Sequence, residues 1–328
     1  MIARQSFPSR VESYPPLTPA TGHGWTILIH EGKWVVAMRL VTICALTAVA
    51  VTAPALAQER PLPDAKPFLE EVRKRLQTDD ELQNGYSYVE KRREVKLDKA
   101  GRSTKETVKV IESYPGFPGE DRWERVIEED GKAVPASELA KKDRDRQKKA
   151  EEYVRKLSQQ TASDREKAAR DREKERRKTV ELVDEIFRVY DMRMLGRETV
   201  EGHDTITFSL TPRRGVKARS RDGGIMQHFT GKAWVSESDY ELVRLEIEAI
   251  DTVSIGLGLL ARVHKGSHAA FQRRKVNGEV WLPASASYTG SARVLLLKSL
   301  RVGGTAEFSN YRKFTVDTST SYGRPKSP

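Results

Sequence analysis

Apolar and polar positions alternate along most of the C-terminal half of the chain. Ile206, Phe208 and Leu210 fall on one side of a strand, with Thr205, Thr207, Ser209 and Thr211 on the other. Val243, Leu245, Ile247 and Ala249 repeat the pattern against Arg244, Glu246 and Glu248. Period two predicts strands with one dry and one wet face. Val276-Asn277-Gly278-Glu279 reads as a two-residue hairpin turn, because Asn-Gly tolerates the positive φ such turns require. Upstream, Tyr86 to Leu97 is expected to pair with Thr104 to Tyr114 across Asp98-Lys99-Ala100-Gly101, and Arg122 to Glu129 to turn at Asp130-Gly131. Helical spacing takes over in two places. Phe68, Leu69, Val72 and Leu76 follow Asp64 as a cap, and Val180, Val183, Ile186 and Phe187 mark a short amphipathic helix.

Between these lies a segment with almost nothing to bury. Lys141 to Lys178 contains 16 basic and 9 acidic residues and no Gly or Pro, and beyond Ser158 its apolar residues are three alanines. Glu-to-basic pairs four apart, such as Glu152–Lys156, Glu166–Arg170 and Glu173–Arg177, support a helix. An apolar stripe exists only at Ala150, Tyr153, Val154 and Leu157. The segment reads as a solvated helical arm starting near Ser137. If the arm has a function, Arg165, Lys167, Arg170, Arg172, Lys174, Arg176 and Arg177 are its candidates for contact with anionic headgroups or a partner.

The fold class expected is therefore mainly β (α+β): a curved antiparallel sheet or incomplete β-barrel with covering helices and a long charged arm. With few helices to cover a dry face, the sheet must curl and enclose an apolar interior.

Composition sharpens this picture. The 328 residues include 58 Lys+Arg and 47 Asp+Glu, a net charge of +11, with 38% hydrophobic content and a single cysteine, Cys44. That excludes a polytopic membrane protein and an intramolecular disulfide framework. Met38-Arg39, an apolar run to Val51 and a small-residue end at Ala55-Leu56-Ala57 form a secretory signal, with cleavage after Ala57. Cys44 lies too close to Met38 to serve as a lipidated residue. Expected boundaries are 1–37 a non-native, disordered extension, 38–57 the signal peptide, and 58–134 the first helix and strands. Residues 135–190 are the arm and short helix, 191–316 the remaining strands, and 317–328 a disordered tail. The expected location is the periplasm, with secretion or outer-membrane association as alternatives.

Catalytic signatures are thin. Gly256-Leu257-Gly258-Leu259-Leu260-Ala261 carries the letters of a dinucleotide fingerprint, without the following helix and acidic residue it needs. His264 and His268 flank a Lys-Gly-Ser turn and do not make a metal site alone. No enzyme, metal or cofactor is expected, nor nucleic acid, since the arm interleaves no aromatics with its charges. Trp123, Trp234 and Trp281 each fall in an expected strand and read as core or cavity wall.

Leu195-Gly196-Arg197-Glu198-Thr199-Val200-Glu201-Gly202 with the strand to Leu210, Gly231-Lys232-Ala233-Trp234-Val235, Val280-Trp281-Leu282-Pro283 and Ser309-Asn310-Tyr311-Arg312-Lys313-Phe314 occur in order. Together they resemble the LolA/LolB-like superfamily of outer-membrane lipoprotein-sorting proteins over about residues 190–316, with looser similarity from Tyr86 to Asp130. The resemblance implies an incomplete barrel, helices over its mouth, and an apolar cavity for acyl chains. The long charged arm departs from the compact carriers of that family, and no arginine here matches the one they use near the lid.

The expected function is a periplasmic lipid- or lipoprotein-binding carrier or sensor. Its cavity candidates are Trp123, Ile206, Phe208, Leu210, Trp234, Val243, Leu245, Ile247 and Trp281. The partner would be a lipid or acylated lipoprotein, with an anionic membrane surface or a periplasmic or outer-membrane protein as further partners. A carrier needs an open cavity of at least several hundred Å3, as ligand sites usually have. Two alternatives predict otherwise: a scaffold binding a partner through the charged helix has a solid core, and an unrecognised hydrolase brings a Ser, a His and a carboxylate together in the cavity.

Overall fold

A computed structural model of the chain describes residues 60–98, 100, 102–117, 121–255, 261–294 and 298–313. The expected extension, signal peptide and tail, with Cys44, Ala55 and Ala57, lie outside the described residues, as do residues 256–260 of the glycine-rich stretch.

Helix α1 (Ala65–Gln83) leads into strands β1 (Tyr86–Leu97), β2 (Ser103–Tyr114), β3 (Trp123–Glu129) and β4 (Lys132–Ala133). Helices α2 (Ala136–Ser158) and α3 (Ala162–Val189) follow, and then β5 (Tyr190–Val200) and β6 (His203–Pro212). A short α4 (Arg221–Met226) precedes β7 (Phe229–Ser236) and β8 (Leu242–Ala249). The chain ends in β9 (Val253–Ile255), β10 (Ala261–Val263), β11 (His268–Val276), β12 (Val280–Val294) and β13 (Lys298–Lys313).

Every strand pairing is antiparallel, and the strands form a nine-stranded and a four-stranded sheet. The larger runs β4-β3-β2-β1-β13-β12-β10-β9, with β11 also on β12, and the smaller runs β5-β6-β7-β8. The two meet where β8 ends beside the turn into β11: Ala249 N–H donates to Ser267 O and Gly266 N–H to Ala249 O, each at 2.8 Å. Among the described residues neither β4 nor β5 has a second sheet partner, so the curved surface is open, as expected for a curved sheet or incomplete barrel. The β11–β12 turn is the expected hairpin, with Asn277 at φ 54° and Gly278 at φ 71°.

The charged segment departs from expectation. It is two helices. The chain breaks at Gln159–Thr161, and Thr161 caps α3 through a reciprocal exchange with Asp164. α2 begins after Pro135 with no side-chain cap, not at Ser137. The amphipathic stretch around Val183 is not a separate helix: α3 runs 28 residues without interruption from the charged part into it. Nothing between Lys178 and Val180 breaks a helix, so the change in composition does not end the element.

α1 and the C-terminal part of α3 lie together on the concave side of β5–β8. Phe68 and Val72 are buried with Ile206, Phe208 and Val235, and Arg73 bonds Asp184 of α3 at 2.7 Å. α2 instead packs against β2–β3, where Arg125 donates to Asp143 and Arg146 sits 4.7 Å over the Trp123 ring.

Candidate binding cavity

The four-stranded sheet aims an apolar set at the helices by simple alternation. Phe208 and Leu210 of β6 and Phe229, Ala233 and Val235 of β7 share the concave face, and Met192 of β5 sits across from Leu210. α1 presents Leu69, Val72 and Leu76, spaced three and four apart, and α3 presents Ile186 and Phe187. These groups do not close up completely. They leave a cavity of about 170 Å3, walled also by Tyr190, Leu242, Leu245, Ile247, Ile225 and Met226.

Tyr190 is the only one of the seventeen lining residues with a side-chain oxygen or nitrogen. Its hydroxyl donates to the Met226 carbonyl at 2.7 Å, so its polar end is occupied. Burial pushes that hydroxyl well above its ordinary pKa, so it stays neutral and donating. The cavity therefore presents hydrocarbon, ring carbon and the Met192 and Met226 thioethers. No Ser, His or carboxylate is among its lining residues, so the constellation a hydrolase would need does not form there.

One wall is a cover formed by the connection from β6 to β7. Ser220 caps α4 by accepting from Gly223 N–H at 2.9 Å. Buried Glu185 of α3 accepts from Arg219 N–H at 2.5 Å, and Gly223 passes so close that a Cβ there would collide with the Glu185 side chain. Arg188 donates to Lys217 O at 2.7 Å and Arg213 to Tyr190 O at 2.8 Å, strapping the connection to α3 and β5.

Of the nine residues expected to line a cavity, Phe208, Leu210, Leu245 and Ile247 do. Ile206 is fully buried on the same face but lies beside the cavity, packed with Phe68 of α1. Trp234, Val243 and Trp281 do not line it: with Val200 they form a separate cluster on the other side of the sheet. For Val243 the cause is a bulge. Trp234 pairs with Arg244 but Val235 with Leu242, so Val243 is an extra residue and Leu242 faces the cavity in its place. Trp123 is remote from the cavity, tilted against Tyr114 at 5.3 Å and holding down α2.

The second face of β6 is not wet as expected. Thr205 and Thr207 are fully buried; the Thr207 hydroxyl donates to Glu198 at 3.0 Å and Trp234 Nε1 to the same carboxylate at 3.0 Å. Sequence reasoning missed the contributions of Tyr190, Met192, Ile225, Met226, Phe229, Ala233, Val235 and Leu242. Period two in β7 would have found its three, while α4 carries no periodic signal.

The seven arm residues proposed for headgroup contact are all exposed. Arg176 and Arg177 both bond Glu173, and these bonds hold its carboxyl down to about 2.

No protein-family model and no curated protein matches the sequence. Solved structures do resemble the chain. A Vibrio parahaemolyticus domain, provisionally described as an outer membrane lipoprotein-sorting protein, is 11% identical and matches 79% of this chain and 96% of its own, with a TM-score of 0.31. A LolA superfamily protein from Nitrosomonas europaea is 12% identical over 78% of this chain and 100% of its own, with a TM-score of 0.29. A DUF1329 family protein from Desulfovibrio piger is 14% identical over 78% and 94%, with a TM-score of 0.28.

Proposed function

We propose that the chain is an exported periplasmic binding protein, a carrier or sensor, that takes up an acyl chain or comparably thin apolar group of a lipid or lipoprotein. The observation that carries this reading is the cavity of about 170 Å3 whose single polar side chain already has its partner. Such a space stays dry, because a water there would find none of the two to four polar partners it needs. A dry apolar space of this size is comparable to one that takes up benzene.

The cavity is smaller than the several hundred Å3 expected; Phe68 packs beside it, stacked on the lining Phe208 at 5.8 Å and edge-on to Tyr240 at 5.2 Å. At roughly 30 Å3 for a water-sized group, the space admits about six methylenes. Longer chains need more room, and the α4 cover is the wall we propose gives way. The signal pattern at Met38–Ala57 supports the periplasmic assignment.

Native mass spectrometry of protein expressed from Met38 and purified from the periplasm tests the reading. Discrete added masses that dissociate as lipid support it and identify the ligand class. A bare mass that stays unchanged after incubation with lipid overturns it.

A further inference from the structure

The outer end of the charged arm combines two features that the cavity reading leaves unused. α2 is held against the sheet as far as Ala150, which is buried, and Tyr153, whose ring stacks on Phe117 at 4.9 Å. The apolar stripe then continues past the sheet. Val154 is 47% exposed and Leu157, one turn on, is 41% exposed; they are two of five large hydrophobics exposed on the described surface. The chain turns at Gln159–Thr161 directly after them.

Charge is balanced at the turn itself, where Arg155, Lys156, Arg165 and Lys167 are matched by Glu151, Glu152, Asp164 and Glu166, and an excess of cations follows along α3, with seven basic and three acidic residues from Lys167 to Lys178. On α3, Lys167, Arg170, Lys174, Arg177 and Lys178 recur at three- and four-residue spacing and so share an arc of roughly 100° on the helix. The acidic residues of that stretch, Glu166, Asp171, Glu173 and Glu175, fall outside the arc. The stretch from Lys141 to Lys178 carries a net +7.

We infer that the α2–α3 corner is a docking surface for an anionic bilayer, with Val154 and Leu157 entering the headgroup boundary and the basic residues facing lipid phosphates. Exposed apolar side chains followed by a cationic helix face are what interfacial binding needs, whereas neither feature alone holds a protein on a membrane. A bilayer also needs no matching shape, which suits a corner of two solvated helices. α3 then links membrane to cavity. Leu157 lies just before the turn, and Ile186 and Phe187 wall the cavity about 36 Å along the helix from its start at Ala162, at ~1.5 Å per residue.

Co-sedimentation of the purified protein with vesicles tests this independently of what the cavity holds. Binding to phosphatidylglycerol–phosphatidylcholine vesicles at ~0.1 M salt is expected to exceed binding to phosphatidylcholine alone at least tenfold. It should vanish near ~1 M salt, where the Debye length falls from ~10 to ~3 Å. Val154→Gln with Leu157→Gln, and separately Lys167→Glu with Arg170→Glu and Lys174→Glu, are each expected to lower binding about tenfold or more with helix content unchanged by circular dichroism. In Leu157→Trp, quenching by acyl-brominated lipid should exceed that of the unsubstituted protein. Equal binding to both vesicle types, full binding by either variant set, or no added quenching overturns the inference. If a multiple variant loses helix, the Leu157→Trp quenching decides alone.

Discussion

Ala233 is the smallest side chain in the cavity wall, and enlarging it separates a binding space from a packing defect. Unfilled volume costs ~24 cal/mol per Å3, so about 170 Å3 withholds roughly 4 kcal/mol of stability. Ala233→Leu adds three carbons, which would occupy about half of the space if each takes roughly 30 Å3. At ~0.8 kcal/mol per buried methylene the gain is about 2 kcal/mol. For a chain of this size that raises the melting temperature by roughly 4–8 °C. The same three carbons exclude three of the six or so methylenes of a bound chain, and affinity should fall about 50-fold. Thermal denaturation followed by circular dichroism reads the first quantity, and titration with a fluorescent fatty acid the second. A lower melting temperature would mean the space is not there, since overfilling a packed core is destabilising. A raised melting temperature with undiminished affinity would place the ligand elsewhere.

Tyr190→Phe removes the hydroxyl that holds the Met226 carbonyl; it should cost about 1 kcal/mol and speed fatty-acid uptake in stopped-flow fluorescence, and an unchanged uptake rate would show that the cover does not gate the cavity. Arg273 is 1% exposed and donates to Trp281 O at 2.7 Å and Leu242 O at 3.2 Å while facing Glu241 at 3.5 Å. Arg273→Ala strands that carboxylate and should cost about 3–5 kcal/mol in denaturant unfolding; a loss below about 1 kcal/mol would mean the pair is solvated. Glu198→Ala deprives Trp234 and Thr207 of their acceptor and should cost about 2 kcal/mol, whereas Glu198→Gln, keeping an acceptor, should cost clearly less in the same assay. Burial raises the Asp239 carboxyl, but bonds from Lys275 and Trp281 outweigh it and hold the group below its ordinary value. Its contribution is thus fully present above an unfolded pKa of about 3.9 and lost as pH falls through the folded value. Stability measured from pH 6 to 2 should fall less steeply in Asp239→Asn, and an identical slope would refute the assignment.

Elements whose cause is local were legible in the sequence. The β1–β2 and β11–β12 hairpins follow from their turn residues, and the α1 stripe at Phe68, Leu69, Val72 and Leu76 lies where the spacing puts it. The arm shows the limit of composition as a guide. Charge density changes near Thr179, but helix propensity does not, so one rigid helix crosses from solvent into the cavity wall. The break at Gln159–Thr161 has a local cause that composition concealed. Thr161 followed by Asp164 is a capping box, which begins a new helix whatever precedes it.

The cavity itself was half legible, because alternation says which residues share a face but not where the count slips. Read along β8 alone, Val243, Leu245 and Ile247 are equivalent. Only the pairing with β7 makes Val243 the extra residue and gives its place to Leu242. Register belongs to two strands at once, so no pattern within one of them reveals it. The tryptophans fail for a related reason. Trp234 and Trp281 are as buried as a cavity wall would be, but their indole N–H groups need acceptors. They find them at Glu198 and Asp239, away from an apolar cavity that offers none. An indole with a satisfied N–H therefore marks the polar side of this sheet, while the ligand side is left to side chains that have nothing to donate.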